Sequence, residues 1–423
     1  MEDYTSMESA AGDIIHSIFW LLVIVFIFGM FAGKFAHYLR VPDVAIFILA
    51  GILAGPVLHL IDLPASSAVN QFIMILGACL ILFDGGRSIS FQILRQVWPT
   101  ILLLSVPGVI ITAFITAFAA IYLLHLPMIY ALLLASIIAS TDPATLIPVF
   151  RQIRIDERVK QTVESESAFN DATGSILTFT VLGLALGTTT FSLSGTILEF
   201  VSMSLGGVGI GLVMGWITAV LMSEKKFGLF RDYPAVAYTT AAVASYVIAD
   251  QLHFSGFMAT FIAGVILGNH HSFRLPVSDV KLEAVGHFYE GITLMMRMLI
   301  FVLLGTQVNF ASLTSFLLPG LAVVAVFMLI ARPITVLSST LPDRKAKWKW
   351  NEIAFMFWVR ETGVIPAALL GIISGTGIAH MDVIASVTFL TILITVVLQA
   401  STTGWVAKKL GVTVPPSAES DRS

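Results

Sequence analysis

The chain has 423 residues, 57% hydrophobic and only 12% charged, with a mean hydropathy of +0.93. A soluble domain carries about 25% charged residues, so soluble enzymes and nucleic-acid-binding folds are excluded, and the chain reads as an all-α polytopic membrane protein. The net charge of −3 decides nothing, and the single cysteine, Cys79, rules out a disulfide framework or a cysteine-based metal site.

A transmembrane span needs about 20 apolar residues. About 13 are expected, at about 14–34, 43–61, 67–86, 97–123, 127–150, 161–186, 196–222, 234–250, 254–269, 286–306, 314–338, 351–375 and 382–407. The Met1-Glu2-Asp3-Tyr4 start lacks the positive region of a cleaved signal, so the first run is expected to stay as a span. All but three of the 23 Lys and Arg residues fall after odd-numbered spans. Basic loops collect on the cytoplasmic side, which puts the N-terminus outside and the C-terminus inside. The short loops suggest a prokaryotic plasma (inner) membrane. Residues 1–410 read as one membrane domain and 411–423 as a short cytoplasmic tail with a flexible end at Pro415-Pro416-Ser417. No GxxxxGK[ST] loop is present, so nothing points to ATP drive.

An odd number of spans suggests two inverted six-helix repeats, about 14–186 and 234–407, joined by a linking helix at about 196–222. Discontinuous helices are expected at about 127–150, broken at Thr141-Asp142-Pro143, and at about 351–375, broken at Arg360-Glu361-Thr362-Gly363. Matching broken segments in two halves point to a transporter's substrate site. The backbone groups freed by each break are tolerated at membrane depth only where they line a polar cavity or are buried in protein.

Asp171 falls near the middle of the sixth span, and a charge there costs about 2.5–3.5 kcal/mol on insertion scales. Ser167, four residues earlier, shares its helical face. A small cation needs oxygen ligands, and a carboxylate must be deprotonated to serve as one. Cation and proton therefore compete for Asp171, which yields antiport if the protein rearranges readily only when one is bound. The plainer reading is a protonated Asp that hydrogen-bonds a neighbouring helix. Asp142 is expected to orient Asn170 or to approach the cation, with Thr141 offering a carbonyl and a hydroxyl; equally, Asp142 before Pro143 suits a helix N-cap. Glu166 and Arg332 are expected to pair, with Glu361 as the alternative partner of Arg332. Asp84 either reaches the cation from the cytoplasmic vestibule or sits at the water interface beside Arg87. Glu290 and Arg297 are expected to pair loosely, Glu164 to line the entrance, and His270-His271 to lie in a solvated loop.

With these residues in place the sequence resembles the NhaP-type sodium/proton antiporters of the monovalent cation:proton antiporter superfamily. The motifs are Ser140-Thr141-Asp142-Pro143, Glu166-Ser167-Ala168-Phe169-Asn170-Asp171, Ala331-Arg332-Pro333 and Phe83-Asp84-Gly85-Gly86. The resemblance covers essentially the whole chain. It implies an NhaA-like antiporter fold and Na+ contact by Asp171, Ser167, Asp142, the Thr141 carbonyl and Asp84. It also implies a Glu166–Arg332 ion pair and a homodimer in which a six-helix core moves against a dimerisation domain. One departure stands out: the family commonly has Arg directly before the glycine of the twelfth-span break, where this chain has Thr362, with Arg360 two residues earlier. Relatives with Asp-Asp at 170–171 exchange two protons per sodium, so Asn170 implies electroneutral, one-for-one exchange.

The function expected is therefore secondary active Na+(Li+)/H+ antiport by alternating access, with K+/H+ antiport on the same fold as the alternative. No cofactor is expected. The partners are monovalent cations, protons, the lipid bilayer and a second copy of the chain, with no nucleic acid. A cation channel and an intramembrane aspartyl protease are the readings from other classes. The inverted repeats speak against the first, and Asn170 with the Arg332 partner against the second.

Overall fold

The computed structural model describes residues 2–39, 42–141, 150, 153–188, 192–224, 228–273 and 277–414. They form α1 (Glu2–Leu39), α2 (Asp43–Val57), α3 (Ala68–Arg87), α4 (Phe91–Leu124), α5 (Met128–Ile138), α6 (Glu157–Ala185) and α7 (Leu193–Met222). The second half contains α8 (Pro234–Gln251), α9 (Gly256–Gly268), α10 (Asp279–Thr306), α11 (Leu317–Thr340), α12 in two pieces (Trp350–Trp358 and Val364–Ser374) and α13 (Met381–Leu410). Seven of these, α1, α3, α4, α7, α10, α11 and α13, are long and apolar enough to cross a membrane; α2, α5, α9 and the second piece of α12 are shorter and apolar.

Local chemistry sets the ends. Asp156 caps α6 by accepting from the N–H groups of Arg158 and Val159, and Ser67 and Ser255 cap α3 and α9 in the same way. Pro107 has no N–H to donate, and α4 kinks at Val106 just before it. Pro333 lies just past a widened turn of α11, Phe327–Ala331. A similar wide turn, Thr395–Ala400, interrupts α13 opposite the break in α12.

Helix pairings reveal the repeat. Adding seven to a helix number in the first half gives its counterpart in the second. Thus α1 packs on α2 as α8 packs on α9, α2 on α10 as α9 on α3, and α5 on α13 as α12 on α6. A shift by an odd number is what two repeats of opposite crossing direction would give. Both copies of one contact rely on glycine. A Cβ at Gly264 of α9 would fall 2.2 Å from the Phe83 carbonyl of α3, and one at Gly51 of α2 would fall 2.0 Å from the Val302 carbonyl of α10. Neither backbone can yield, so Gly264→Val is expected to lower the melting temperature sharply in a detergent thermal-shift assay. Gly286→Ala, where a Cβ meets nothing within 4 Å, should leave it unchanged.

The first residues after α13 are fastened rather than loose. Asp156 N–H donates to the Val412 carbonyl at 3.1 Å and Val414 N–H to the Arg154 carbonyl at 2.8 Å. The segment leading into α6 is thus tied to the chain beyond α13; Pro415-Pro416-Ser417 lies outside the described residues.

Candidate ion-binding site

The helical part of α5 ends at Ile138, well short of residue 150, and residues 139–141 are no longer helical. Asp142 lies outside the described residues, as does Pro143. α6 crosses this end closely because Gly174 carries no side chain: a Cβ there would sit 3.1 Å from that of Ser140.

Asn170 fastens the break. Its Oδ1 accepts from the Thr141 N–H at 2.9 Å, and its Nδ2 donates to Thr141 Oγ1 at 2.8 Å. The Thr141 hydroxyl then donates to Ser167 Oγ at 2.8 Å. Among the described residues it is Thr141 that contacts Asn170; Asp142, expected to orient Asn170 or to approach the cation, lies outside them. This use of one side chain as both donor and acceptor explains an amide at 170, because an ionised carboxylate only accepts. Asn170→Asp is therefore expected to strand the Nδ2–Oγ1 bond and cost about 1–3 kcal/mol, measured as a lower unfolding midpoint near neutral pH.

Asp171 follows, fully buried, one turn beyond Ser167. Its main-chain carbonyl accepts from the Ser175 hydroxyl at 2.7 Å. Thr141, Ser167, Asn170 and Asp171 thus gather where the end of α5 meets the middle of α6.

Two arginines close the open helix ends. Arg332 of α11 holds both oxygens of Glu166, the second at 3.0 Å, and both side chains are at most 1% exposed. Its Nε donates to the Met356 carbonyl at 2.9 Å and its Nη2 to the Val359 carbonyl at 3.0 Å. Met356 lies in the last turn of the first piece of α12 and Val359 just past its end, where a cation also meets the negative end of the helix dipole. The expected Glu166–Arg332 pair is present. Arg360 does the same for the other break: its Nη2 donates to the Ala139 carbonyl at the end of α5, and its guanidinium lies 4.8 Å from the centre of the Phe327 ring. Sequence reasoning left Arg360 without a task. The signal was present, since it is one of only three basic residues inside the spans.

Asp84 stands apart from this cluster in its contacts, paired with Arg87 at 2.6 Å and 15% exposed.

The sodium/hydrogen exchanger transmembrane family matches residues 15–409, nearly the whole chain. The chain belongs to this family. Na(+)/H(+) antiporter 1 of Methanocaldococcus jannaschii is 30% identical over 92% of this chain and 95% of its own length. The K(+)/H(+) antiporter NhaP of Alkalimonas amylolytica is 28% identical over 95% of this chain and 68% of its own. The structure of the sodium proton antiporter MjNhaP1 from M. jannaschii at pH 8 superimposes with a TM-score of 0.81 and 29% identity, covering 94% of this chain and 99% of that one. Family membership makes the chain a multi-pass membrane transporter rather than an enzyme, so the protease reading is dropped.

Other expectations in this family member change with the tertiary contacts. Arg297 reaches Asp43 of α2 at 3.4 Å, not Glu290, which lies 3.7 Å from His287. Glu164 is buried. The solvated-loop reading holds for His271 only. His270 is buried in a short turn after α9, with its Nδ1 3.0 Å from the Leu267 carbonyl.

Proposed function

We propose that the chain exchanges protons for Na+ or Li+ across a plasma (inner) membrane, one for one and without net charge movement, by alternating access around Asp171. The observation that carries this is a fully buried carboxylate one turn from a serine hydroxyl, beside a broken helix fastened by Asn170. The oxygen atoms there suit a small hard cation. Because the carboxylate must lose its proton to serve as a ligand, cation and proton exclude each other. Asp142 and the Thr141 carbonyl complete the proposed Na+ ligands, with Asp84 as an acidic contact on the approach.

Relatives named as Na+/H+ and as K+/H+ antiporters both support cation/proton exchange, and the K+ reading is the alternative on selectivity. We take the protein to act as a homodimer with its N-terminus outside and its C-terminus cytoplasmic, on the distribution of basic loops and the family resemblance. Proton flux in proteoliposomes under separate Na+, Li+ and K+ gradients tests the exchange. Movement driven by Na+ and Li+ and unaffected by a clamped voltage is the expected result; a voltage-driven current would contradict the stoichiometry.

A further inference from the structure

Residues 341–349, which join α11 to α12, are fastened at several points. Asp343 Oδ2 accepts from the Thr100 hydroxyl at 2.7 Å, and its Oδ1 accepts from the Ala346 N–H at 3.2 Å. Trp348 Nε1 donates to the same Thr100 oxygen at 2.9 Å. Arg158 of α6 closes the turn from the other side. Its Nη1 donates to the Ala346 carbonyl and its Nη2 to Glu352 Oε2 at 2.8 Å, with the guanidinium 4.5 Å from the centre of the Trp348 ring.

These bonds sort the charges of the segment by sign. The carboxylates Asp343 and Glu352 are buried and spent on internal donors, whereas Arg344, Lys345, Lys347 and Lys349 are all exposed. Lys347 holds a left-handed φ of 46°, uncommon for a residue with a side chain. The end of α13 comes to the same place: Asn351 Nδ2 donates to the Leu410 carbonyl at 3.1 Å, which sets the exposed Lys408 and Lys409 beside the start of α12. Six cations from two distant stretches thus share one surface, and none of them pairs with a carboxylate among the described residues. Arg87, Lys160 and Lys281, near other helix ends, pair with Asp84, Glu157 and Glu224.

Two tryptophans flank this surface. Trp350 is the first residue of α12 and Trp405 lies one turn before Lys409; they are 65% and 64% exposed. Lys409 Nζ sits 4.8 Å from the centre of the Trp405 ring, and the Trp350 ring meets Phe357 edge-on further along the same helix. A ring with an apolar body and one N–H suits the headgroup level of a bilayer. Loop charge alone is enough to orient a membrane protein. Orientation does not call for carboxylates turned inward, for a second segment brought alongside, or for two exposed rings at the boundary. A free anion or a soluble acidic protein has no use for those rings, whereas a lipid matches both the rings and the charge.

We propose that residues 341–349 and the adjoining ends of α12 and α13 bind the phosphate headgroup of an anionic phospholipid of the surrounding leaflet. The six cations meet the headgroup charge, as basic clusters next to a transmembrane helix do, and Trp350 and Trp405 lie against the boundary between headgroups and acyl chains. The site stands independently of the exchange reading and of which side of the membrane these helix ends face.

Native mass spectrometry of the full-length protein in detergent tests this, with phosphatidylglycerol and phosphatidylcholine of the same acyl chains as probes. The wild type should retain phosphatidylglycerol about tenfold more strongly. The triple variant Lys347→Gln, Lys408→Gln and Lys409→Gln should lose that preference. A matched triple at exposed basic residues elsewhere, Lys34→Gln, Arg95→Gln and Arg231→Gln, removes the same charge and should keep it. Equal retention of the two lipids by the wild type, or the same loss in both triples, would overturn the site. Inorganic phosphate at equal concentration should not displace the lipid; displacement would mark a free-anion site and overturn the lipid assignment. Capture of polyglutamate in preference to the lipid would point to an acidic protein partner and overturn it equally. If the patch triple fails to fold, Lys347→Gln alone carries the measurement: a smaller loss in the same direction supports the site, and unchanged retention overturns it.

Discussion

Asp171→Asn is expected to bring Na+-driven proton movement down to the level of empty proteoliposomes, while the protein still purifies folded. Asn matches Asp in size, so packing around α6 is kept. What is lost is a group that can be occupied by a proton or can ligate a cation as an anion. A side chain locked in the neutral state satisfies neither half of the exchange. The same competition has a signature in the wild type. Below the pH at which Asp171 gives up its proton, each unit of acidification should weaken apparent Na+ affinity about tenfold, because one proton must leave for each cation bound. The maximal rate at saturating Na+ should change far less over that range. Isothermal Na+ titration at several pH values provides a check without transport. An Asp171→Asn protein that binds Na+ as wild type does would sink the proposal.

Arg332→Ala should instead lower the thermal unfolding midpoint sharply. Removing one partner of a buried ion pair costs about 3–5 kcal/mol, since the other charge is left without compensation. Here the loss is larger than the pair alone, because Arg332 also holds the Met356 and Val359 carbonyls at the end of the first piece of α12. Arg332→Lys is not a conservative change: an ammonium cannot hold both Glu166 oxygens and two carbonyls with a planar fork. The double variant Glu166→Gln with Arg332→Met should recover part of the loss, because no charge is stranded, but not all of it, because the two carbonyls remain open. Thermal unfolding midpoints should therefore rank the double variant above Arg332→Ala, and adding the single variants Glu166→Gln and Arg332→Met gives the coupling owed to the ion pair. Equal stability of Arg332→Ala and wild type would remove the structural role assigned here.

The two arginines give the breaks a common logic. A half-helix ending inside a membrane leaves carbonyls that neither water nor the next turn can satisfy. In α12 they are met by Arg332 from α11, and in α5 by Arg360 from α12. Each break is thus closed by a side chain that is remote in sequence, and the α5 break is closed from the opposite repeat. Movement of one half against the other cannot leave these contacts untouched.

Much of this was legible in the residues themselves. Thirteen apolar runs, basic residues in alternate loops and two interruptions are properties of composition and spacing, because the bilayer imposes span length and penalises charge regardless of how helices pack. The Glu166–Arg332 pair could be expected for the same reason, since two opposite charges in a low-dielectric interior must meet. Tertiary structure alone decided which group served which end. Asn170 lies beside Thr141 because Gly174 lets α6 approach the end of α5, and Arg297 finds Asp43 rather than Glu290 because α10 packs on α2. His270 is buried for an equally non-local reason, as the loop at the end of α9 folds against the start of α4, where Asn269 accepts from the Phe91 N–H at 2.9 Å. Charge, length and hydropathy are local to the chain, but the partner of a buried polar group is fixed by which helices are brought into contact.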